Sequence, residues 1–332
     1  MTRPIVAAMA LLLGPFWAAS GAAAQDRLSF GLDWKAEAEY GGYYEAVATG
    51  IYARHGLSVT IRQGGPQVNQ AQMLLAGRLD LDITSNSFLA LNFVREGLPF
   101  RAVAAMFQKD PVALLTHPGV GNDGFAALRG KPVYIGADTR AGWWTFLRAK
   151  YGYSDSQIRP YTFNLAPFLA DPSAAVQGYI TSEPYSIRQE AHVDPVVLMI
   201  SDAGYAGYGS LIATSDKMIR ERPDVIQRFI DASIEGWIAF LHDDPKPAYA
   251  AIKADNPEMS DGLLQFGHDR LRDVGVVQSG DALTLGIGAM TAARWQQFLK
   301  DAAAVIPADT DVAKAYTLQF VDKGVGVAPA KP

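Results

Sequence analysis

Apolar and polar positions alternate in short runs along the first two thirds of the chain, and stretches of 3.6-residue period fall between them. Period 2 marks a half-buried strand and period 3.6 an amphipathic helix. Strands are predicted at LSFGLDW (28–34), LSVTIRQ (57–63), LDLDITS (79–85) and FRAVAAMFQ (100–108). Helices are predicted between them at YYEAVATGIYARHG (43–56, closed by Gly56), VNQAQMLLAGR (68–78) and NSFLALNFVREG (86–97). A second series runs VALLTH (112–117, strand), FAALRG (125–130, short helix), KPVYIGA (131–137, strand), GWWTFLRAKYG (142–152, helix) and IRPYTFN (158–164, strand). FLADPSAAVQGY (168–179) follows as a helical turn region and VDPVVLMISD (193–202) as a strand. From about Arg222 to Phe320 the pattern is largely helical. No repeat of solenoid period and no low-complexity linker interrupts it.

Alternating strands and helices call for a mostly parallel sheet with helices on both faces. Two such series predict an α/β protein of two lobes with a C-terminal helical tail. Open parallel sheets hold ligands beyond the carboxyl ends of their strands. Those ends collect Asp33 and Trp34, Gly64 and Gly65 with Gln67 beyond them, Ser85 and Asn86, Gln108, Asp138 to Arg140, and the turn around Tyr205. The most crowded is LDWKAEAEYGGYYEA (32–46), where Asp33, Trp34, Tyr40 and Tyr43 share one strand-to-helix turn.

The first 24 residues read as an address. Arg3 is followed by the apolar IVAAMALLLGPFWAA and then by small residues up to Ala24, the pattern of a cleaved secretory signal. The 332 residues carry a net charge of −5, and loss of Arg3 leaves 28 basic against 34 acidic residues. An acidic balance argues against nucleic acid, which asks for a basic face. Hydrophobic residues make up 49% and charged residues 19%, enough to bury a sizeable core. There is no cysteine, hence no disulfide, no thiol nucleophile and no lipid-modified cysteine after the signal. Together these predict a periplasmic protein that is not lipid-anchored.

The motifs of catalysis are weak. GVGNDG (119–124) fits a dinucleotide fingerprint, but the helix after it is hardly two turns long, and a loop with Asp123 as a cap is the better reading. The five histidines lie far apart, so no metal is expected. GYGSL (207–211) has a serine without the nucleophile-elbow pattern. Trp143 and Trp144 cannot face one side of a helix, so one packs in the core while the other can reach the cleft; both as core is the alternative. Arg140 and the start of that helix could hold a negative group, or Arg140 could be a surface ion pair. TSEPY (181–185) fixes Glu183 and Tyr185 in one turn, and a carboxylate among aromatics suits a flat ligand with N–H donors. Alternate glycines in GYAGYG (204–209) fit a hinge.

LDW (32–34), EYGGYYEAVATGIYARHGLSVTI (39–61), RQGGPQ (62–67), AGRLDLDITSNS (76–87), LRGKPVYIGAD (128–138) and TSEPY (181–185) together resemble the periplasmic substrate-binding proteins of ABC transporters. The matching branch is named for thiamine-pyrimidine synthesis proteins and also holds nitrate, sulfonate and taurine binders. The resemblance implies two lobes joined by crossovers near 107–112 and 200–209, closing over a solute. Lobe 1 would comprise 25–108 with 205–332, its helical tail included, and lobe 2 would comprise 109–204. It implies a monomeric solute-binding protein, not an enzyme, with no cofactor, delivering a small molecule to an ABC permease. Members that bind thiamine-precursor pyrimidines have a Trp after the first strand and a Glu in a segment like TSEPY, which Trp34 and Glu183 match. Where those members carry an Asn and a His in the first turn, this chain has Glu37, Glu39 and Tyr40. Trp34, Tyr40, Tyr43, Trp143, Tyr185 and Tyr205 outnumber Arg140 on the rim, which favours a flat nitrogen heterocycle such as a pyrimidine over a small oxyanion (sulfonate, taurine, nitrate). A periplasmic hydrolase is the remaining, less expected reading.

Overall fold

The structure, a computed structural model, describes residues 24–65, 68–136, 138–303, 306–307 and 309–327. The signal segment up to residue 23, and Gln67, lie outside the described residues. Among the described residues ten strands occur: β1 (Asp26–Gly31), β2 (Leu57–Arg62), β3 (Leu81–Asn86), β4 (Phe100–Phe107), β5 (Val112–Thr116), β6 (Val133–Ile135), β7 (Ile158–Pro160), β8 (Ala175–Tyr179), β9 (Val196–Met199) and β10 (Gly209–Ser215). The helices are α1 (Gly41–Ala48), α2 (Ile51–Arg54), α3 (Gln70–Leu75), α4 (Ser87–Arg95), α5 (Trp143–Tyr151), α6 (Ala166–Leu169), α7 (Glu183–Ala191), α8 (Asp216–Glu221), α9 (Pro223–His242), α10 (Lys246–Asp255), α11 (Asp261–Val274), α12 (Ala282–Leu285) and α13 (Ala292–Asp301).

The strands form two sheets of like order, β2-β1-β3-β10-β4 and β7-β6-β8-β5-β9. In the first, β1 runs parallel to β2 and β3, and β10 antiparallel to β3 and β4. In the second, β6 runs parallel to β7 and β8, and β5 antiparallel to β8 and β9. Each sheet therefore has a parallel framework with one antiparallel strand, and that strand is the one a crossover delivers.

Two strands differ from the sequence reading. β8 replaces the end of the expected helical turn region at 168–179, and β10 lies where no strand was expected. Both are interior strands flanked on two sides, and β10 is buried along nearly its whole length. A strand covered on both faces loses the alternation that marks a half-exposed one. The GVGNDG loop is a loop, as read, but Gly124 rather than Asp123 precedes the short helical turn, and no side chain caps it.

The core of the first unit forms where α1 and α9 cover β1. Phe30 packs on Tyr43 at 4.8 Å and on Phe229 at 5.0 Å. Added side-chain carbons would meet Trp237 at 2.4 Å at Gly42 and the Gly42 carbonyl at 2.2 Å at Gly236. The glycine pair after Tyr40 thus lets two helices touch at backbone distance. The tail reaches both crossovers through Arg294 of α13. Its Nε donates to Ala206 O at 2.8 Å, Nη1 to Gln108 Oε1 at 3.2 Å, and Nη2 to Gly207 O at 3.1 Å and Gln108 O at 2.5 Å. The guanidinium lies 3.9 Å from the Tyr208 ring centre, a cation–π distance.

Candidate functional site

The carboxyl ends of the two sheets face each other, and side chains from both meet there. Trp34, just after β1, lies against Phe163, just after β7, with ring centres 4.6 Å apart and planes tilted 47°. Glu39 Oε1 accepts from Thr181 Oγ1 at 3.1 Å, joining the turn before α1 to the turn after β8. Asp33 Oδ1 accepts from the Tyr40 hydroxyl at 2.6 Å.

Around these contacts lies a band of carboxyl groups that perturb one another. Asp82 on β3 is 1% exposed, and its Oδ1 has no hydrogen-bond partner. Burial, then the nearby Asp33 carboxylate, holds Asp82 well above the usual carboxylate range. Thr84, two residues along and so on the same face, is 4% exposed, and its side chain favours ionised Asp82. Burial pushes Asp110 up to about 7, against the Val112 N–H that it accepts at 3.1 Å, and Asp33 adds to the rise. Burial likewise pushes Glu39 up to about 7, with Glu183 and Asp33 contributing. Glu37 is raised by burial, by Glu39 and by Glu183. Few cations answer them. Lys35 favours ionised Glu37 but is paired with Glu258 at 2.7 Å. Arg294 favours ionised Asp110 but spends its donors on the crossovers. A site of buried, mutually repelling carboxyl groups attracts a cation or a cluster of N–H donors, and repels an anion.

Several residues expected on the rim are placed otherwise. Tyr43 is fully buried between Phe30 and Trp237 and belongs to the core. Trp143 and Trp144 are both buried; Trp144 donates Nε1 to Asp155 at 2.9 Å and packs on Tyr153. Tyr205 is buried among Phe88, Phe146 and Phe298. Gln108 is buried and donates to Ala105 O and Ala289 O, so it ties the crossover to the tail. Asn86 caps α4 by accepting from Phe88 N and Leu89 N. Glu183 Oε2 accepts from Tyr179 N and Ser182 Oγ, both at 2.8 Å, and so closes its own turn. Tyr185 rests on Phe266 of α11. Arg140 is exposed. Ser85 and Gly65 are half-buried at strand ends. The close approach belongs to Gly64, where an added carbon would sit 2.2 Å from Leu32 O. The structure therefore brings Asp33, Trp34, Tyr40 and the Glu183 turn together, and adds Glu39, Asp82, Thr84, Asp110 and Phe163, which the sequence reading did not select. Asp82 hid inside an apolar strand, and Asp110 looked like a turn residue before a proline.

Among the described residues, no group of three or more His, Cys, Asp or Glu side chains is placed to hold a metal ion. No described helix is long and apolar enough to cross a membrane.

A family model described as NMT1/THI5 like matches residues 37–248. The riboflavin-binding protein RibY of Chloroflexus aurantiacus is 25% identical over 298 residues, covering 86% of this chain and 83% of that protein. The fold matches the periplasmic aliphatic sulphonate-binding protein SsuA of Escherichia coli with a TM-score of 0.67 at 13% identity, over 88% of this chain and 92% of that one. It also matches the desulfurization enzyme DszB with a TM-score of 0.52 at 15% identity, over 89% and 97% of the two chains. The two-lobed architecture is thus the periplasmic-binding-protein fold, and binding proteins and an enzyme share it.

Proposed function

The chain belongs to the NMT1/THI5-like family, and from that premise we propose that it is an extracytoplasmic solute-binding protein whose ligand is a small flat nitrogen heterocycle bearing N–H donors or positive charge. Lobes 25–108 with 205–332 and 109–204 close over this solute, and the complex delivers it to an ABC permease from the periplasm, where the signal segment sends it. A pyrimidine or thiamine-precursor-like amine fits this chemistry, and so does a larger flat ring such as the riboflavin named for the relative at 25% identity. One observation supports the reading above all others: the carboxyl groups of Glu39, Asp82 and Asp110 are buried with their acid form favoured. Such groups accept hydrogen bonds from a cation or amino group and strengthen them by ionising. A sulfonate beside them would find the nearby cations already engaged, Lys35 by Glu258 and Arg294 by the crossovers. Asp33 is the first acceptor, next to Trp34, whose ring supplies the stacking wall.

Calorimetry with 4-aminopyrimidine, riboflavin and methanesulfonate tests this. Binding of either ring with no binding of the sulfonate is the expected result. Binding of the sulfonate alone, or turnover of any of the three, would replace the reading.

A further inference from the structure

We propose that Phe163 is the stacking face that the second lobe contributes to the ligand site, and that in the ligand-free protein it occupies the place over Trp34 that the ligand's ring takes. The inference rests on the heterocycle reading above and names a residue that reading lacks. Four features of the structure carry it.

Phe163 and Trp34 come from different sheets. Trp34 follows β1 and Phe163 follows β7, so their contact exists only while the two rims face each other. Phe163 is also out of place for a large apolar side chain: it is 48% exposed, and its backbone has a φ of 62°, in the left-handed region. That region is uncommon for residues other than glycine, asparagine or aspartate and, for a bulky one, points to a conformation its surroundings impose. The surroundings here are rings, Trp34 at 4.6 Å and Tyr161 at 5.1 Å.

The spacing decides what a ligand must do. Optimal carbon contacts are about 3.5–4 Å, so a ring held between two others needs faces roughly 7–8 Å apart. Trp34 and Phe163 at 4.6 Å leave no such layer. A flat ligand stacking on the face of Trp34 that Phe163 covers therefore displaces Phe163. The loop can move outward, because half of that ring already faces solvent, and can then settle on the ligand's other face. An acceptor is in position for this arrangement: Asp33 precedes Trp34 in the chain, and its carboxylate already accepts from the Tyr40 hydroxyl.

The experiment compares Phe163→Ala and Phe163→Tyr with the parent, using 4-aminopyrimidine, riboflavin and methanesulfonate as probes. Phe163→Ala is expected to weaken a bound ring about five- to tenfold, the scale of one lost aromatic pair with its burial, and Phe163→Tyr to restore it. If a ring binds and Phe163→Ala stays within twofold, the heterocycle reading stands and the stacking role is overturned. If the parent takes only methanesulfonate, both are overturned. A readout without ligand decides the matter even if no probe binds. Acrylamide quenching of Trp34, taken as the difference between parent and Trp34→Phe, should rise in Phe163→Ala. Unchanged quenching would show that Phe163 does not cover Trp34 and would overturn the inference.

Discussion

Beside the carboxyl end of β1, Asp82 is buried with Oδ1 unpaired, next to the Thr84 side chain and the Asp33 carboxylate. At the same end of the second sheet most polar groups are spoken for, with Ser201 Oγ just beyond β9 as an exception. Gln177 Oε1 accepts from Gly136 N at 2.7 Å and Thr139 Oγ1 at 2.9 Å, and Glu183 closes its own turn. Among the described residues from Val112 to Met199, no buried side-chain polar atom lacks a partner. The sheets have the same strand order, so topology does not explain the contrast. The difference supports the proposed role of the first rim in polar recognition, with the second as the more self-contained of the two.

The largest effect is expected where the two rims are joined. Arg294→Ala removes donors from Gln108, Ala206 and Gly207 on both crossovers and uncovers Tyr208. Leaving those carbonyls unanswered should cost roughly 3–5 kcal/mol of unfolding free energy. Arg294→Lys should recover only part of it, because an ammonium lacks the planar fork. Chemical denaturation measures this, and a loss under about 1 kcal/mol would mean that the crossovers are anchored otherwise.

The next test sets one rim against the other. Asp33→Asn removes the acceptor charge beside Trp34 and should weaken 4-aminopyrimidine about tenfold, on the scale of a charge-assisted bond. Glu183→Gln should cost less than about threefold in affinity and about 1 kcal/mol in stability, because its Oε2 serves Tyr179 N and Ser182 Oγ. The reverse order of affinities would move recognition to the second rim.

How much of this was legible beforehand depends on which residues are asked about. The first rim's entry, Asp33 and Trp34, stood out because a charge and an indole end an apolar strand. The α/β series and the helical tail were equally readable from period. Tyr43, Trp144 and Tyr205 misled because sequence position fixes the turn but not the direction of a ring: all three point into apolar cores. Asp82 was invisible for the opposite reason. It alternates with leucines as a surface residue would, and only the pairing of β3 between β1 and β10 buries it. Arg294 needed the tertiary fold altogether, since it acts on residues far from it in the chain.

A smaller but more diagnostic effect is proton exchange on binding. Glu39 and Asp110 sit near 7, so each is partly protonated at neutral pH. A cationic or donor-rich ligand favours their ionised forms and expels protons, whereas an anion would draw protons in. Calorimetry of 4-aminopyrimidine binding at pH 7 in two buffers of different ionisation enthalpy gives the sign. Net uptake beyond the one proton that a ring nitrogen of 4-aminopyrimidine can itself take up would contradict the assignment of the first rim.

The same groups fix a stability profile that is the smallest effect and the easiest to misread. A carboxyl group whose folded pKa is raised binds more protons in the folded state, so its contribution is full below about 4 and is lost as pH rises through about 7. Asp82 and Glu37 shift in the same direction. His268 works oppositely: burial lowers it, so its share is lost as pH falls below its ordinary value near 6.5. Glu45, Glu183 and Asp322 are raised as well, while Asp26 and Glu235 are lowered and titrate below their ordinary carboxylate range, so the balance between pH 5 and pH 8 leaves the ligand-free protein more stable at pH 5. Glu39→Gln and Asp110→Asn keep acceptors for the Thr181 hydroxyl and the Val112 N–H while removing the ionisation. Each should raise stability at pH 8 by about 1–3 kcal/mol and change it little at pH 5. On the second rim Gln177 carries no charge, but burial raises Glu183 as well, so Glu183→Gln should lessen the slope in the same direction. Saturation with 4-aminopyrimidine should flatten the profile as well, because a bound donor group gives the ionised carboxylates a partner; a profile that steepens with that ligand would place its charge away from the first rim.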